Sequence, residues 1–314
     1  MPELLQQLAN GTTKGATYAL VALGYTMVYG IIQLINFAHG DVFMVGAFAG
    51  LFFITYVLPH TGLAVGTYAV SLPLTFVFAM AVCASLGVIL ERFAYRPLRN
   101  APRLAPLITA LGASIVLEQS VRNFYPGGTR QPRFPPRGSL FPEGFFSFYN
   151  NRLRVPYLWM FIVAVAVVMM VGLLTFIGRT RLGKAMRASA QDRDAARLMG
   201  IDIDRIIMIT FIIGSSLAAI GGVLTGMYQR QVDFFMGFGA GLKAFTAAVL
   251  GGIGNIRGAM FGGFLLGMVE SLAVAYAYPR FMRGQSWQDV WAFVVLVLVL
   301  VFRPTGLFGE RVAV

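Results

Sequence analysis

Residues 155–177 read VPYLWMFIVAVAVVMMVGLLTFI, and residues 206–228 read IIMITFIIGSSLAAIGGVLTGMY; neither run carries a charge. Between them lies GRTRLGKAMRASAQDRDAARLMGIDID, residues 178–204. An apolar run of more than ~18 residues has the length of a helix that crosses a bilayer. The chain therefore leaves a membrane after 177, spends a short polar excursion outside it, and returns at 206. Inside lipid every backbone N–H and C=O must be bonded within the protein, so such continuous runs mean helices. A transmembrane barrel would show short alternating strands instead.

Composition agrees. Of 314 residues, 57% are hydrophobic and 12% charged, against roughly 25% charged in a soluble domain. The formal charge of +12 does not point to nucleic acid. Its basic residues fall in the loops between apolar runs, where they set topology and meet lipid headgroups. The single cysteine, Cys83, and the two histidines, His39 and His60, leave no disulfide and no cysteine metal cage. The start, Met1-Pro-Glu-Leu-Leu-Gln-Gln, has no basic segment of a cleavable signal, so the first span is read as the targeting signal.

Spans are expected at 13–35, 41–58, 66–90, 105–121, 155–177, 206–228, 232–250, 258–278 and 288–302. The stretch Gly251-Gly-Ile-Gly-Asn-Ile-Arg-Gly258 interrupts the last part, so eight to ten spans with broken or re-entrant helices are expected. The fold class is all-α, a polytopic transmembrane bundle, with residues 1–314 forming a single permease-like domain. Arg92, Arg96, Arg99 and Arg103 lie in one loop, and Arg179, Arg181, Lys184, Arg187, Arg193, Arg197 and Arg205 in another, two spans later. Both loops are thus on one side, which the positive-inside rule makes the cytoplasm. The longer opposite loop, 122–154, also carries arginines, interspersed with Pro and Phe. His39-Gly-Asp and Ile253-Gly-Asn each place a polar break before a small-residue helix start, a hint of an internal repeat and a pointer to a transport path.

The 178–204 loop holds a false lead. Gly178 to Lys184 spells G-x-x-x-x-G-K, the first seven positions of a phosphate-binding loop, but Ala185 replaces the Mg²⁺-holding hydroxyl. It also follows a membrane span rather than a buried strand. The centre reads better as a helix of about two turns. Asp192 caps it, and Gly200 fits the left-handed position after its last turn. So short a helix needs a partner surface. That surface is either the bundle and headgroups or another protein, which the small residues Ala195 and Ala196 would let approach closely.

Residues 187–201, Arg-Ala-Ser-Ala-Gln-Asp-Arg-Asp-Ala-Ala-Arg-Leu-Met-Gly-Ile, resemble the ATPase-docking loop of branched-chain amino acid importer permeases. The likeness continues in Gly15-Ala-Thr-Tyr-Ala-Leu-Val-Ala-Leu-Gly-Tyr-Thr-Met-Val-Tyr-Gly30, in Ile35-Asn-Phe-Ala-His-Gly-Asp41, in 243–258, and in Arg303-Pro-Thr-Gly-Leu-Phe-Gly309. The Pro/Arg-rich stretch 126–142 does not match. The resemblance implies an ABC importer subunit in the bacterial inner membrane. It would pair with a second, related permease as a heterodimer, with two cytoplasmic ABC ATPases and with a periplasmic substrate-binding protein. No cofactor would be bound by this chain; ATP and Mg²⁺ would sit on the ATPase subunits. The coupling loop would be 179–205, with Asp192, Ala195, Ala196, Met199 and Gly200 as its contact surface. Related permeases carry urea, amides or other amino acids.

The polar residues inside the spans are the candidate translocation path: Asn36, His39, Asp41, Asn255 and Glu270. Asn36 to Asp41 reads either as an Asp-capped hairpin near the cytoplasmic surface or as a broken helix that lines the permeation path. Glu118 can pair with Arg122 four residues on. Glu270 has no local partner, and Lys243 can snorkel to the surface. Arg130 and Arg133 are the candidate contacts for a binding protein. An ion-coupled secondary transporter would need more titratable groups at mid-membrane, and a membrane enzyme would need a clustered nucleophile, base or metal site.

Overall fold

The computed structural model describes residues 2–34, 36–61, 68–99, 101–102, 104–126, 131–135, 141–148, 153–277, 284 and 287–309. Eleven α-helices follow in order. They are α1 (Pro2–Ile32), α2 (His39–Phe52), α3 (Tyr68–Ile89), α4 (Leu104–Phe124), α5 (Tyr157–Arg179), α6 (Arg181–Gln191), α7 (Arg193–Leu198), α8 (Ile203–Gln229), α9 (Met236–Gly251), α10 (Ile256–Tyr276) and α11 (Gln288–Phe302). Wider and tighter turns prolong α2 to Thr61 and α3 to Leu98. Seven of the described helices are long and apolar enough to cross a membrane, while α9 and α11 are shorter apolar helices. The chain is an all-α polytopic membrane protein. Among the described residues the one sheet is an antiparallel hairpin of β1 (Phe145–Phe148) and β2 (Leu153–Pro156), at the end of the loop 122–154.

α1 is the axis of the bundle. Ala16, Ala19, Leu20, Ala22 and Leu23 are wholly buried. Glycines let α10 approach it backbone to backbone: a Cβ on Gly15 would lie on the Phe264 backbone, and one on Gly263 would lie on Ala19. α2 meets α8 in the same way, Gly46 against Ala219 and Gly222 against the Phe43 backbone. This is how small residues bring helices together where lipid offers no hydrophobic drive. The outer helices show the complementary pattern. Val168 on α5 and Val297 and Val301 on α11 stay exposed, as lipid-facing side chains should. Gly252 and Gly254 differ from the packing glycines. Their φ values of 101° and 97° make the turn between α9 and α10, and that backbone favours glycine.

The two ends of the bundle are chemically distinct. Arg96 and Arg99 both pair with Asp204, and Arg99 also with buried Glu91. The basic loops around 92–103 and 179–205 therefore share one end. At the other end the backbone of Arg154 is bonded both ways to the Gln6 side chain, at 2.9 and 3.1 Å. The expected Glu118–Arg122 pair does not form among the described residues; Arg122 instead lies over the Phe234 ring, 5.4 Å from its centre.

Gly15→Leu should overpack the α1–α10 crossing at a cost of about 1–3 kcal/mol. The expected outcome is a lower yield of folded protein in the membrane and a lower thermal midpoint in detergent, with Gly112→Leu, which meets open space, as the neutral control.

Candidate functional site

Three polar regions lie along α1. The first is the elbow made by α6 and α7. The expected short helix is α7, and α6 precedes it. Thr180 caps α6, its hydroxyl accepting from the Gly183 N–H at 2.9 Å. Gly183, Met186 and Ser189 face inward, a three-residue spacing that makes one helical stripe. Asp192 then caps α7, its Oδ1 accepting from the N–H groups of Asp194 at 2.8 Å and Ala195 at 3.0 Å. Gly200 has φ 82°, and the Ile201 N–H closes back on the Ala196 carbonyl at 3.1 Å.

The faces of α7 differ from expectation in one respect. Ala196 is only 4% exposed and packs in the cluster that holds Met186 and Ile203. It is nearly covered within the chain, though it still borders the groove that runs beside α7. Ala195 is exposed, and Leu198 and Met199 are 89% and 82% exposed. Positions three and four apart share a helix face, so Ala195, Leu198 and Met199 form one outward edge. Leu198 had not been singled out; its signal was a large apolar residue in an otherwise polar turn. Beside this edge runs a groove of about 600 Å³ lined by Arg181, Lys184, Ala188, Asp192 and Met199. Arg193 points the other way, its guanidinium donating to the Ile31 carbonyl at the end of α1 at 2.7 Å. Partial burial, and then the neighbouring guanidiniums of Arg99 and Arg197, lower the Arg193 pKa from its usual value.

The second region is Asn36 to Asp41. α1 runs on to Ile32, yet His39 lies against Gly24, where its ring fills the space a Cβ would need. At 1.5 Å per residue that is about 12 Å back along α1. After α1 the chain thus turns back, and Asn36 and His39 lie inside the bundle. Asn36, His39 and Asp41 are each 1–2% exposed, which a surface hairpin would not give. Asn36 Oδ1 accepts from the Tyr95 hydroxyl at 2.7 Å, and the Tyr25 ring meets His39 edge-on at 4.8 Å. Asp41 does not cap α2 as expected. The helix starts at His39 without a side-chain cap, and the Asp41 carboxylate accepts instead from the Ser114 hydroxyl.

The third region joins residues distant in sequence. Glu270, which lacked a local partner, is fully buried among α1, α9 and α11. One of its oxygens accepts from Tyr18 at 2.9 Å and Gln288 at 2.8 Å. The other lies 3.6 Å from the Lys243 ammonium. Lys243 does not snorkel; it reaches Asp289 as well, at 2.6 Å. A cavity of about 500 Å³ opens beside this cluster, lined by Lys14, Tyr18, Lys243 and Asp289 among others. Lys14, Tyr18, Gln288 and Asp289 had not been singled out. Only Lys14 and Lys243 left a trace, as solitary cations within apolar helices.

The remaining candidates lie elsewhere. Asn255 caps α10 through the Gly258 N–H at 3.1 Å and donates to the Phe308 carbonyl at 3.0 Å. It sits by the turn near Gly30, not at the cavity. Arg133 is exposed and pairs in a single bridge with Gln231. Arg130 lies outside the described residues.

The chain is similar to known permeases over nearly its whole length. The family described as branched-chain amino acid transport system, permease component, matches residues 7–300. The high-affinity branched-chain amino acid transport system permease protein BraD of Pseudomonas aeruginosa is 46% identical over 99% of this chain and 98% of its own length. The corresponding permease LivH of Escherichia coli K12 is 44% identical over 98% of this chain and 96% of its own. A probable branched-chain permease LivH of Methanocaldococcus jannaschii is 27% identical over 92% and 88%.

Asp192→Ala removes a cap that holds two N–H groups, a loss of about 1 kcal/mol. Amides 193–199 should then exchange hydrogen for deuterium faster, and Asp192→Ser should restore most of the protection.

Proposed function

The chain belongs to the permease family of branched-chain amino acid transport systems, and from that premise we propose that it moves branched-chain amino acids across the bacterial inner membrane, powered by ATPases bound at the α6–α7 elbow. The permease itself is not an enzyme. The observation that carries the proposal is α7: a helix of six residues, capped at both ends, that presents Leu198 and Met199 to solvent. Exposing two large apolar side chains on so short a helix is unfavourable unless a partner covers them.

The proposed assembly has two such permeases, this chain and a related one, with two ATPases on the side of the basic loops. A substrate-binding protein would dock on the hairpin side, near Arg133 and Arg130. ATP and Mg²⁺ belong to the ATPases in this reading, and residues 1–314 act as one permease domain. Nine crossings fit the helix order, with α9 and α11 as short spans and 33–38 as a re-entrant segment. Closure of the ATPases would push α7. Arg193 would carry that push to the end of α1, and the segment 33–41 packed against Gly24 would shift with it. Helix termini that absorb such motion are common in switching proteins. Asn36, His39 and Asp41 lie beside this moving end, while Glu270 lies buried behind the cavity on the other half of α1.

The test uses the assembled importer in vesicles. Leucine uptake should require ATP and survive a protonophore; uptake that persists without ATP contradicts the proposal and favours an ion-coupled transporter. Leu198→Asp combined with Met199→Asp should lower both ATPase co-purification and uptake by about tenfold or more, as expected for buried interface anchors, with membrane levels unchanged. Ala196→Asp should differ by lowering the level of the permease itself, because that side chain is buried within the chain.

A further inference from the structure

The cavity between α1, α2, α8, α9 and α11 is lined by both charged and apolar groups. Lys14 and Lys243 face it as cations, and Asp289 as an anion, with Val21, Phe43 and Met236 completing the lining. Its volume of about 500 Å³ falls in the ~300–1,000 Å³ range of small-molecule sites. Glu270 is not part of the lining. It is fully buried, and Tyr18, Gln288 and Lys243 engage its carboxylate. Its role is to fix Lys243 and the Tyr18 hydroxyl from behind.

The two lining cations differ. Lys243 has both Glu270 and Asp289 within ion-pair distance. The Lys14 ammonium is half-buried and donates to the neutral Gln288 Oε1 at 3.3 Å; among the described residues it forms no ion pair. Asp289 keeps 69% of its side chain exposed, so its carboxylate has capacity for a second cation. Lys14 and Asp289 line the same cavity, and their partners converge there: Gln288, which Lys14 bonds, and Lys243, which pairs with Asp289, both reach the Tyr18 hydroxyl, at 3.3 and 3.5 Å. A partly buried charge without a counter-charge is costly, and the cavity offers one of each sign.

We infer that this cavity binds the zwitterionic end of an α-amino acid. Lys14 takes the carboxylate, Asp289 takes the ammonium, and Val21, Phe43 and Met236 receive an apolar side chain. An α-amino acid carries its two charges on groups that share one carbon, which suits adjacent positive and negative positions. An uncharged amide or urea would leave Lys14 without a counter-ion, and a simple carboxylate would face Asp289 with nothing to offer it. The inference rests on the amino acid permease reading above and adds to it the site within this chain and the charged groups that select the substrate.

The experiment is uptake of radiolabelled L-leucine by the full importer in vesicles, at saturating binding protein, with a panel of other zwitterionic amino acids for the unmodified chain. Lys14→Gln and Asp289→Asn should each lower uptake by about tenfold or more, the effect of removing one member of a desolvated charge pair. Lys14→Arg and Asp289→Glu should keep most of it. Membrane level and ATPase co-purification serve as controls for folding in all four variants. Wild-type uptake in both neutral variants, or equal losses in the neutral and charge-preserving variants, would overturn the assignment while leaving the permease reading in place. If the unmodified importer moves no member of the panel, the permease reading falls and the cavity assignment falls with it.

Discussion

The rest of the structure depends on the close approach of α1 and α10. Their glycines leave no side chain between the two backbones at Gly15 and Gly263. In lipid, where apolar surface gains little by meeting another helix, such contact is a main source of association. It also sets positions. It brings Tyr18 of α1 to Glu270 of α10. Gly24, farther along the same helix, leaves the space that the His39 ring occupies. The end of α1 at Ile31 then receives Arg193. A cavity, a buried polar segment and a docking elbow are thus strung along one helix.

Electrostatics divides the molecule along that axis. At one end Arg96, Arg99, Asp204 and Glu91 tie the basic loops to the start of α8. Toward the other, Lys14, Lys243, Glu270 and Asp289 group beside the cavity. Charges inside a membrane protein are expensive unless paired or wet, and both clusters meet that requirement, the first by ion pairing and the second by pairing Glu270 with Lys243 while Lys14 and Asp289 face an open cavity. The arrangement supports a permease in which the energy source and the solute act on opposite halves of α1.

What could be read in the sequence followed from local rules. Continuous apolar runs located the seven membrane-length helices among the described residues, because length and composition are local properties; the runs expected at 232–250 and 288–302 form shorter helices. Asp192 and Gly200 announced the limits of α7, because capping depends on residues close in the chain. The missing hydroxyl at Ala185 removed the nucleotide reading for the same reason. What could not be read depends on packing. Ala196 looks like a small exposed contact but is 4% exposed within a buried cluster; Leu198 takes the outward position. Asp41 had the look of a cap, yet α2 begins two positions earlier, and Ser114 from α4 claims its carboxylate. The pairing of Glu270 with Lys243 and Tyr18 joins three helices, and no spacing along the chain encodes it. Asn36 to Asp41 leaves two readings open in the sequence, and the burial of Asn36, which only the tertiary structure supplies, speaks against the surface hairpin.

The proposed coupling runs from α7 through Arg193 to the end of α1. It is tested most directly by the number of leucine molecules imported per ATP hydrolysed when the assembled importer carries Arg193→Ala. The ATPases should remain bound, because the outward edge of Leu198 and Met199 is untouched, and the ratio should fall well below that of the unmodified importer. An unchanged ratio with an intact assembly would contradict transmission through α1.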